Sequence, residues 1–556
     1  MKRLNYALGS CAALSLVLQS GVASSAMTPI SSDPVVTESG KISGTRLASG
    51  IRAYLGIPFA APPTGALRWA PPRPMQWAGI WNADRKGPEC IQVLRPHDIN
   101  HYFGEEPSSE NCLYLNVWAP ATATPRAKLP VIVYIYGGGY TIGSSGLANY
   151  DGENAAKAGA VFVNFNYRVG AFGFMAHPEL TAEQGGHSGN YGIMDQIAAL
   201  RWVRANIARF GGDPDKVLIM GQSAGAGSVV TQIFSPLSKG LFRAAVMSSG
   251  CNFGSNGLMG GDPDLTGAEQ IGLQVQQSLG VKSLAAMRDI PADRVLATQS
   301  EAQVGAHVVG VRIGGPIVDG YVLPRPKSDL LAAGEVNRVP IIASYNGDDI
   351  DQGMNPLTRA KTVAAYRQAV ADAYGPNADG FLKLYPVRTD QDLPAVVRAA
   401  ASMSGLEGNA RGCAIAETKL GQKAYLDNFV RKHPYVPGVT FADIDPVTVG
   451  AYHTADVPYW FNTLDQYNAL RPTRAWTGYD RALSGKMLAA LIAMAETGSP
   501  DTPAMPWPVW APDAERKLVI GDAVSVQPLD VERLEWLRAH PAVVRPAPPA
   551  ARKPRD

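Results

Sequence analysis

The sequence predicts an α/β fold with a large, mostly parallel central sheet, helices on both faces and long cap-like insertions. Three observations carry that prediction. Apolar, β-branched and aromatic runs of strand length recur at residues 113–118, 131–136, 160–167 and 216–220. Runs that are apolar throughout suit strands buried on both faces, as parallel strands are. Between and after them the period changes to helical, with Ile193, Ile197, Leu200, Val203 and Ile207 on one stripe and a second helical stretch beginning after residue 223. Strands that alternate with helices imply parallel crossovers.

The composition agrees with a folded globular chain: 556 residues, 46% hydrophobic and 18% charged, with 57 Gly and 43 Pro in no periodic pattern. Fifty Lys and Arg against 48 Asp and Glu give a net charge of +2. Without Lys2 and Arg3 it is zero, so no overall field attracts nucleic acid or an acidic membrane. At the N-terminus, Lys2 and Arg3 precede an apolar stretch over 6–22, and Ser24 and Ala26 are small residues before a cleavage point. Residues 1–26 therefore read as a signal peptide. Gly9, Ser10, Gln19 and Ser20 interrupt the stretch, which is too short to span a bilayer. The mature chain is expected to be exported, periplasmic or secreted, with no membrane insertion.

Export gives the cysteines meaning. Five Cys less Cys11 leave four, an even number in an oxidising compartment. Cys90 and Cys112 lie 22 residues apart across a polar loop, where a bridge restricts the unfolded chain by about 3–4 kcal/mol. Cys251 and Cys413 remain for a second pair, which their separation does not decide. Short strands are expected at 35–37, 40–46 and 51–57, followed by a Pro-rich segment, 58–74, that suits neither helix nor central strand. Beyond residue 255 the pattern yields a strand at 339–345 and helices near 265–279, 363–374 and 483–497. No repeat or low-complexity linker divides the chain, so 27–540 is expected as one domain. The Pro-rich, basic residues 541–556 bury too little apolar surface to offset their ordering entropy and are expected as a disordered tail.

Gly221-Gln222-Ser223-Ala224-Gly225 lies between the 216–220 strand and the helix that follows. A Ser on such a sharp turn projects its hydroxyl clear of the sheet, and the small neighbours permit the tight backbone. Tyr136-Gly137-Gly138-Gly139-Tyr140 follows the 131–135 run directly. Consecutive glycines let backbone N–H groups converge on one oxygen, which makes Gly138, Gly139 and Ala224 the candidate oxyanion donors. A nucleophilic Ser needs a base, and the base an acid, which follow such a turn in the order Ser, acid, His. His307, His433, His453 and His540 lie downstream. His540 adjoins the tail, His433 sits in a Lys-His-Pro stretch that reads as exposed loop, and His307 leaves too little sheet between itself and Ser223. His453, in Ala451-Tyr-His-Thr-Ala-Asp-Val-Pro-Tyr-Trp460, is flanked by aromatics that shield an imidazole. The acid falls in the loop after 339–345, where spacing alone leaves Asp348, Asp349 and Asp351 open. No H-E-x-x-H and no close Cys/His cluster is present, so no metal or organic cofactor is expected.

Together these segments resemble the type-B carboxylesterase family, the cholinesterase and lipase-like branch of the α/β-hydrolases, in a bacterial exported form. The resemblance runs to about residue 465. It includes Tyr54-Leu-Gly-Ile-Pro-Phe-Ala-Ala-Pro-Pro-Thr-Gly65, Ser109-Glu-Asn-Cys-Leu-Tyr-Leu-Asn-Val117, Asn166-Tyr-Arg-Val-Gly170, Gly189-Asn-Tyr-Gly-Ile-Met-Asp-Gln196 and Phe210-Gly-Gly-Asp-Pro214. It implies the α/β-hydrolase fold, hydrolysis of a small-molecule ester through an acyl-enzyme, a disulfide between Cys90 and Cys112, and structural ion pairs of Arg68 with Glu110 and Arg168 with Asp195. The family's Gly-x-Asn-x-Asp-Glu-Gly motif falls on 344–350 and places the catalytic acid on Asp349.

Four positions depart from the pattern. Asp349 replaces Glu, Gln222 replaces the Glu before the nucleophile, Asn111 replaces Asp before Cys112, and Ile350 replaces Gly after the acid. The shorter Asp349 requires its loop to sit closer to His453, and Gln222 removes a negative charge beside Ser223. Exported members of the family include enzymes that remove polycarboxylate side chains from natural products such as fumonisins, which makes bulky or polycarboxylate esters one expected substrate class. Two other readings follow from the same resemblance. One is a non-catalytic binding or adhesion protein, and the other is a triad hydrolase of amides, carbamates or thioesters.

Overall fold

The apolar runs become the centre of a twelve-stranded sheet. The computed structural model describes residues 28–102, 104, 106–254, 263–300, 313–349, 357 and 360–542. The expected signal peptide, His307, Asp351 and residues 543–556 of the expected tail lie outside them. In chain order the strands of the main sheet are β1 (Thr28–Pro29), β2 (Thr45–Arg46), β3 (Arg52–Pro58), β4 (Tyr114–Ala119), β5 (Leu129–Ile135), β6 (Val161–Phe165), β7 (Gly212–Gln222), β8 (Ala244–Ser248), β9 (Ile341–Asn346), β10 (Ala424–Phe429), β11 (Arg516–Ile520) and β12 (Val524–Pro528). Their spatial order is β1-β2-β3-β4-β6-β5-β7-β8-β9-β10-β11-β12. From β6 across to β11 every pairing is parallel.

The 113–118 run, expected among the buried parallel strands, is not parallel: β4 pairs antiparallel with both β3 and β6. Leu115, Val117 and Trp118 are all buried, and it is burial of both faces, not strand direction, that yields an unbroken apolar run. Strands β8 and β10 lack the apolar, β-branched signature of their neighbours. Ala244-Ala-Val-Met-Ser248 has one β-branched residue, and β10 carries Asp427 and Asn428 in its interior.

The helices that position the site are α1 (Tyr191–Asn206), α2 (Ala224–Phe234), α3 (Leu265–Leu279), α4 (Val363–Tyr374), α5 (Gly408–Lys419) and α6 (Gly478–Thr497). Helices cover both faces of the sheet: α2 packs on β5, β7 and β8, α5 on β9 and β10, and α6 on β5 and β7. The bounds of α3 and α4 match expectation. Helix α6 starts five residues before the expected 483, because Thr477 and Asp480 form a capping box: Thr477 Oγ1 accepts the Asp480 N–H at 3.2 Å, and Asp480 Oδ2 accepts the Thr477 N–H at 2.9 Å. Tyr366, Val370, Tyr374, Phe381, Tyr385 and Val397 form a small apolar cluster separate from the main core. It is the core of the long insertion between β9 and β10. Among the described residues no helix is long and apolar enough to cross a membrane.

Both cysteine pairs are joined, Cys90 to Cys112 and Cys251 to Cys413. The second bridge ties the loop after β8 to α5 across 162 residues. Closing so long a loop removes much unfolded-state freedom, so Cys251→Ser with Cys413→Ser is expected to lose about 2–5 kcal/mol of stability. The measurement is the guanidinium midpoint under oxidising conditions. The ion pairs form as the resemblance implied. Arg68 meets Glu110 through two contacts of 2.7 Å, and the fully buried Arg168 and Asp195 meet at 2.7 and 2.8 Å.

Candidate active site

Ser223 sits where β7 ends and α2 begins, with φ 58° and ψ −124°. A left-handed φ is strained for a residue with a Cβ, and the surroundings show what holds it. The Ser223 N–H donates to Ser248 O at 2.9 Å, and Ser223 O accepts the Gly227 N–H at 3.0 Å. A Cβ on Gly221 would lie 2.2 Å from the Gly225 backbone, and one on Gly225 would lie 2.1 Å from Ile135 O. Both glycines of the motif are therefore required for backbone to pass backbone, and together they aim Ser223 out of the sheet.

The glycine-rich segment leaves β5 and runs against the same turn. A Cβ on Gly137 would lie 2.4 Å from Gln222 O and 3.0 Å from Ser223 Cβ. Gly138 and Gly139 have φ of 120° and 61°, and Gly138 O accepts the N–H groups of Thr141 and Ile142 at 3.1 Å. Among the described residues no acceptor takes the N–H of Gly138, Gly139 or Ala224. These donors, beside Ser223, suit a developing oxyanion. A methyl group at position 138 meets Ile142 O at 2.2 Å and must turn this peptide. Gly138→Ala is expected to lower kcat by about 10²–10³-fold on a p-nitrophenyl ester, read by steady-state kinetics.

The acid loop follows β9 and is bound to the loop of His453 at several points. Asp348 N donates to Ala451 O at 3.1 Å, and Asp348 Oδ2 accepts the Ala451 N–H at 2.8 Å. Arg398 Nε donates to Asp348 Oδ1 at 3.1 Å. Asn346 Nδ2 donates to Tyr452 O at 2.6 Å and to Asp456 Oδ1 at 3.1 Å. Asp348 is thus a clamp between loops, and the neighbouring Asp349 meets the imidazole. Asp349 Oδ1 contacts His453 Nδ1, and its Oδ2 accepts from Ser249 Oγ and from the Asn346 N–H, the latter at 3.1 Å. The Asp349 side chain is fully buried while that of His453 is 36% exposed, so the ring has a dry acid behind it and an open edge in front. The clamp supplies the close approach that the shorter Asp349 requires.

Gln222 couples this pair to the nucleophile turn: its Nε2 donates to His453 O at 2.7 Å. Among the described residues no hydrogen bond runs from Ser223 Oγ to the ring, and such bonds are often loose until substrate binds. Asp456, beneath the loop, accepts from Ser248 Oγ at 2.5 Å and Trp460 Nε1 at 3.0 Å, and burial holds its carboxyl above the usual range. The sequence motifs assign no role in the site to Ser249, Asn346 or Asp456. Ser249 has φ 53° directly after β8, a placement visible only once β8 is known.

The other histidines are placed as follows. His540 follows the helix Val531–Ala539 as its C-cap, with Nδ1 on Trp536 O at 2.8 Å. His433 contradicts its reading as exposed loop: it is buried, with Nε2 on Ala455 O at 2.8 Å. Five aromatic residues, Tyr435, Tyr452, Tyr459, Tyr467 and Trp476, close around it, and their scatter along the chain hid that shell from local pattern. On the oxyanion side Arg95 reaches Thr141 Oγ1, which donates to Gly138 O at 3.3 Å. Gln92 binds Gly143 through N–H and carbonyl, at 2.7 and 2.9 Å.

Comparison with known proteins places this geometry among relatives. The model of the family described as "Carboxylesterase family" matches residues 31–377. Fumonisin B1 esterase of Sphingopyxis macrogoltabida is 34% identical over 84% of this chain and 82% of that protein. Para-nitrobenzyl esterase of Bacillus subtilis (strain 168) is 28% identical over 89% of this chain and 96% of that protein. A solved PNB esterase structure superposes with a TM-score of 0.71 at 28% identity, covering 90% of this chain and 99% of that one.

Proposed function

We propose, for a chain that belongs to the carboxylesterase family and is a carboxylic-ester hydrolase, a two-step acyl transfer carried by Ser223, His453 and Asp349. His453 Nε2 takes the Ser223 Oγ proton as Oγ attacks the ester carbonyl carbon. The N–H groups of Gly138, Gly139 and Ala224 hold the resulting oxyanion. The tetrahedral intermediate collapses, the carbonyl–alkoxide bond breaks, and the alcohol leaves with the proton from His453. Water then attacks the acyl-enzyme, losing its proton to the same nitrogen, and the acid departs as Ser223 regains its proton. Asp349 keeps the Nδ1 proton in place and stabilises the imidazolium. The observation that carries this reading is the Asp349–His453 contact, backed by Ser249 and tied through Gln222 to a Ser in a left-handed turn.

The side chains beside the nucleophile and along the glycine-rich segment support esters with an anionic acyl part. Gln222 puts no negative charge beside the nucleophile, and Arg95 sets a guanidinium on the oxyanion segment. A relative is named for fumonisin B1, and a polycarboxylate ester is the class we propose here. The two disulfides and the leader-like residues 1–26 support an exported enzyme.

The test is steady-state hydrolysis by residues 27–556 of short-acyl and long-acyl p-nitrophenyl esters, a tricarballylate ester and an isosteric amide, with Ser223→Ala as the blank. Ester turnover far above amide turnover, with the tricarballylate ester leading, is expected. A preference for neutral esters overturns the polycarboxylate class. Rates equal to the blank throughout overturn the mechanism.

A further inference from the structure

Behind the loop that carries His453 lies a buried cation that the reaction as described does not use. Arg474 is 2% exposed, and all three of its guanidinium nitrogens donate to neutral partners. Nε meets His433 Nδ1 at 3.4 Å, Nη1 meets His101 Nε2 at 3.2 Å and Thr473 Oγ1 at 2.8 Å, and Nη2 meets Tyr452 Oη at 3.1 Å and Ile99 O. The rings of Tyr435, Phe441 and Tyr467 face it at 5.3, 5.0 and 4.9 Å. Among the described residues no carboxylate forms an ion pair with it. Burial, reinforced by the charge of Arg474, pushes His433 down to about 3 and His101 down to about 4, so both rings are neutral acceptors near neutral pH. His433 then carries its proton on Nε2, where it donates to Ala455 O at 2.8 Å.

The partners of Arg474 converge on one short segment. Tyr452 precedes His453 and is held through its hydroxyl. Ala455 follows two residues later and is held through His433. Thr454, between them, donates to Asn100 Oδ1 at 2.6 Å, beside the Ile99 carbonyl that Arg474 also binds. A guanidinium presents its donors in a fixed planar fork, so one rigid group sets the residues on both sides of the imidazole. A buried cation without a carboxylate is costly to desolvate, and here that cost is set against bonds that converge on the segment carrying His453.

We propose that Arg474 is a positioning residue for His453, its cage with His433, His101 and Tyr452 fixing where the imidazole stands between Asp349 and Ser223. The inference rests on His453 as the base. It is tested with Arg474→Met, Arg474→Lys, Tyr452→Phe and His453→Ala in the full mature chain, with kcat expressed per active site titrated by a fluorophosphonate. Misplacement of a reacting group by an ångström costs up to about a hundredfold, so Arg474→Met is expected to lower kcat by that order with KM unchanged. Arg474→Lys, which keeps the charge but not the fork, is expected to recover only part. Tyr452→Phe keeps the ring and removes the hydroxyl that meets Arg474 Nη2 at 3.1 Å and His433 Nδ1 at 3.3 Å, and is expected to lower kcat by about five- to tenfold, the upper value corresponding to about 1.4 kcal/mol. If Arg474→Met fails to fold, Tyr452→Phe decides. Wild-type kcat per active site in Tyr452→Phe, or in folded Arg474→Met, overturns the proposal, as does a loss confined to the fraction of active enzyme. Retained activity in His453→Ala overturns the base assignment instead, so the two failures are distinct.

Discussion

Ser223→Ala is expected to lower kcat by about 10⁶-fold on every ester that the enzyme turns over, with little change in stability. The size follows from the mechanism: without Oγ no acyl-enzyme forms, and residual turnover comes only from the oxyanion donors and substrate binding. Stability changes little because Ser223 is held through its backbone, N–H to Ser248 O and O to the Gly227 N–H, and these contacts survive the substitution. Alanine still occupies a left-handed φ of 58°, so the strain is carried over. The measurement is kcat with an active-site titre and a thermal melt of the same preparation. A variant that melts as the wild type and hydrolyses at a tenth of its rate contradicts the assignment.

The second large effect separates two adjacent carboxylates. Asp349→Asn is expected to reduce kcat by about 10⁴-fold, because an amide at Oδ1 presents the wrong group to His453 Nδ1 and stabilises the wrong tautomer. Asp348→Asn is expected to stay within about tenfold, since the amide oxygen still accepts one of the Ala451 and Arg398 donors, and any loss is of loop anchoring. Stability distinguishes them further. Asp349 is buried against Ser249 and the Asn346 N–H, while Asp348 is partly exposed. Steady-state kcat of the two variants, measured side by side, decides which carboxylate orients the ring.

The contrast between these residues also shows how far the sequence could be read. The turn at Ser223 was legible because its requirements are local: a buried strand, two glycines and a helix start within a few residues. The glycine-rich segment was legible for the same reason. The choice among three aspartates was not, since it depends on which carboxylate lies opposite a loop about a hundred residues later. Only the family pattern selected Asp349, and the Asp348–Ala451 pair now gives the physical reason why its neighbour is occupied elsewhere. His433 was misread because its shell is assembled from scattered segments, with Tyr452 and Trp476 on the far side of a loop from the Lys-His-Pro stretch. Strand direction at β4 failed for a related reason, because burial leaves the same apolar signature in either orientation. The signal-peptide reading concerns residues 1–26, which lie outside those the structure describes.

The most direct test of the central claim is to trap the acyl-enzyme. The mature enzyme is mixed with a slowly deacylating p-nitrophenyl ester, quenched in acid within the burst, digested, and the peptides are weighed. The account predicts a burst of p-nitrophenol equal to the active-site concentration and a single acyl adduct on the peptide containing Ser223. That adduct should be absent from Ser223→Ala and barely formed in Asp349→Asn. A linear release of p-nitrophenol with no adduct while deacylation is demonstrably slow, or an adduct on any other residue, contradicts it.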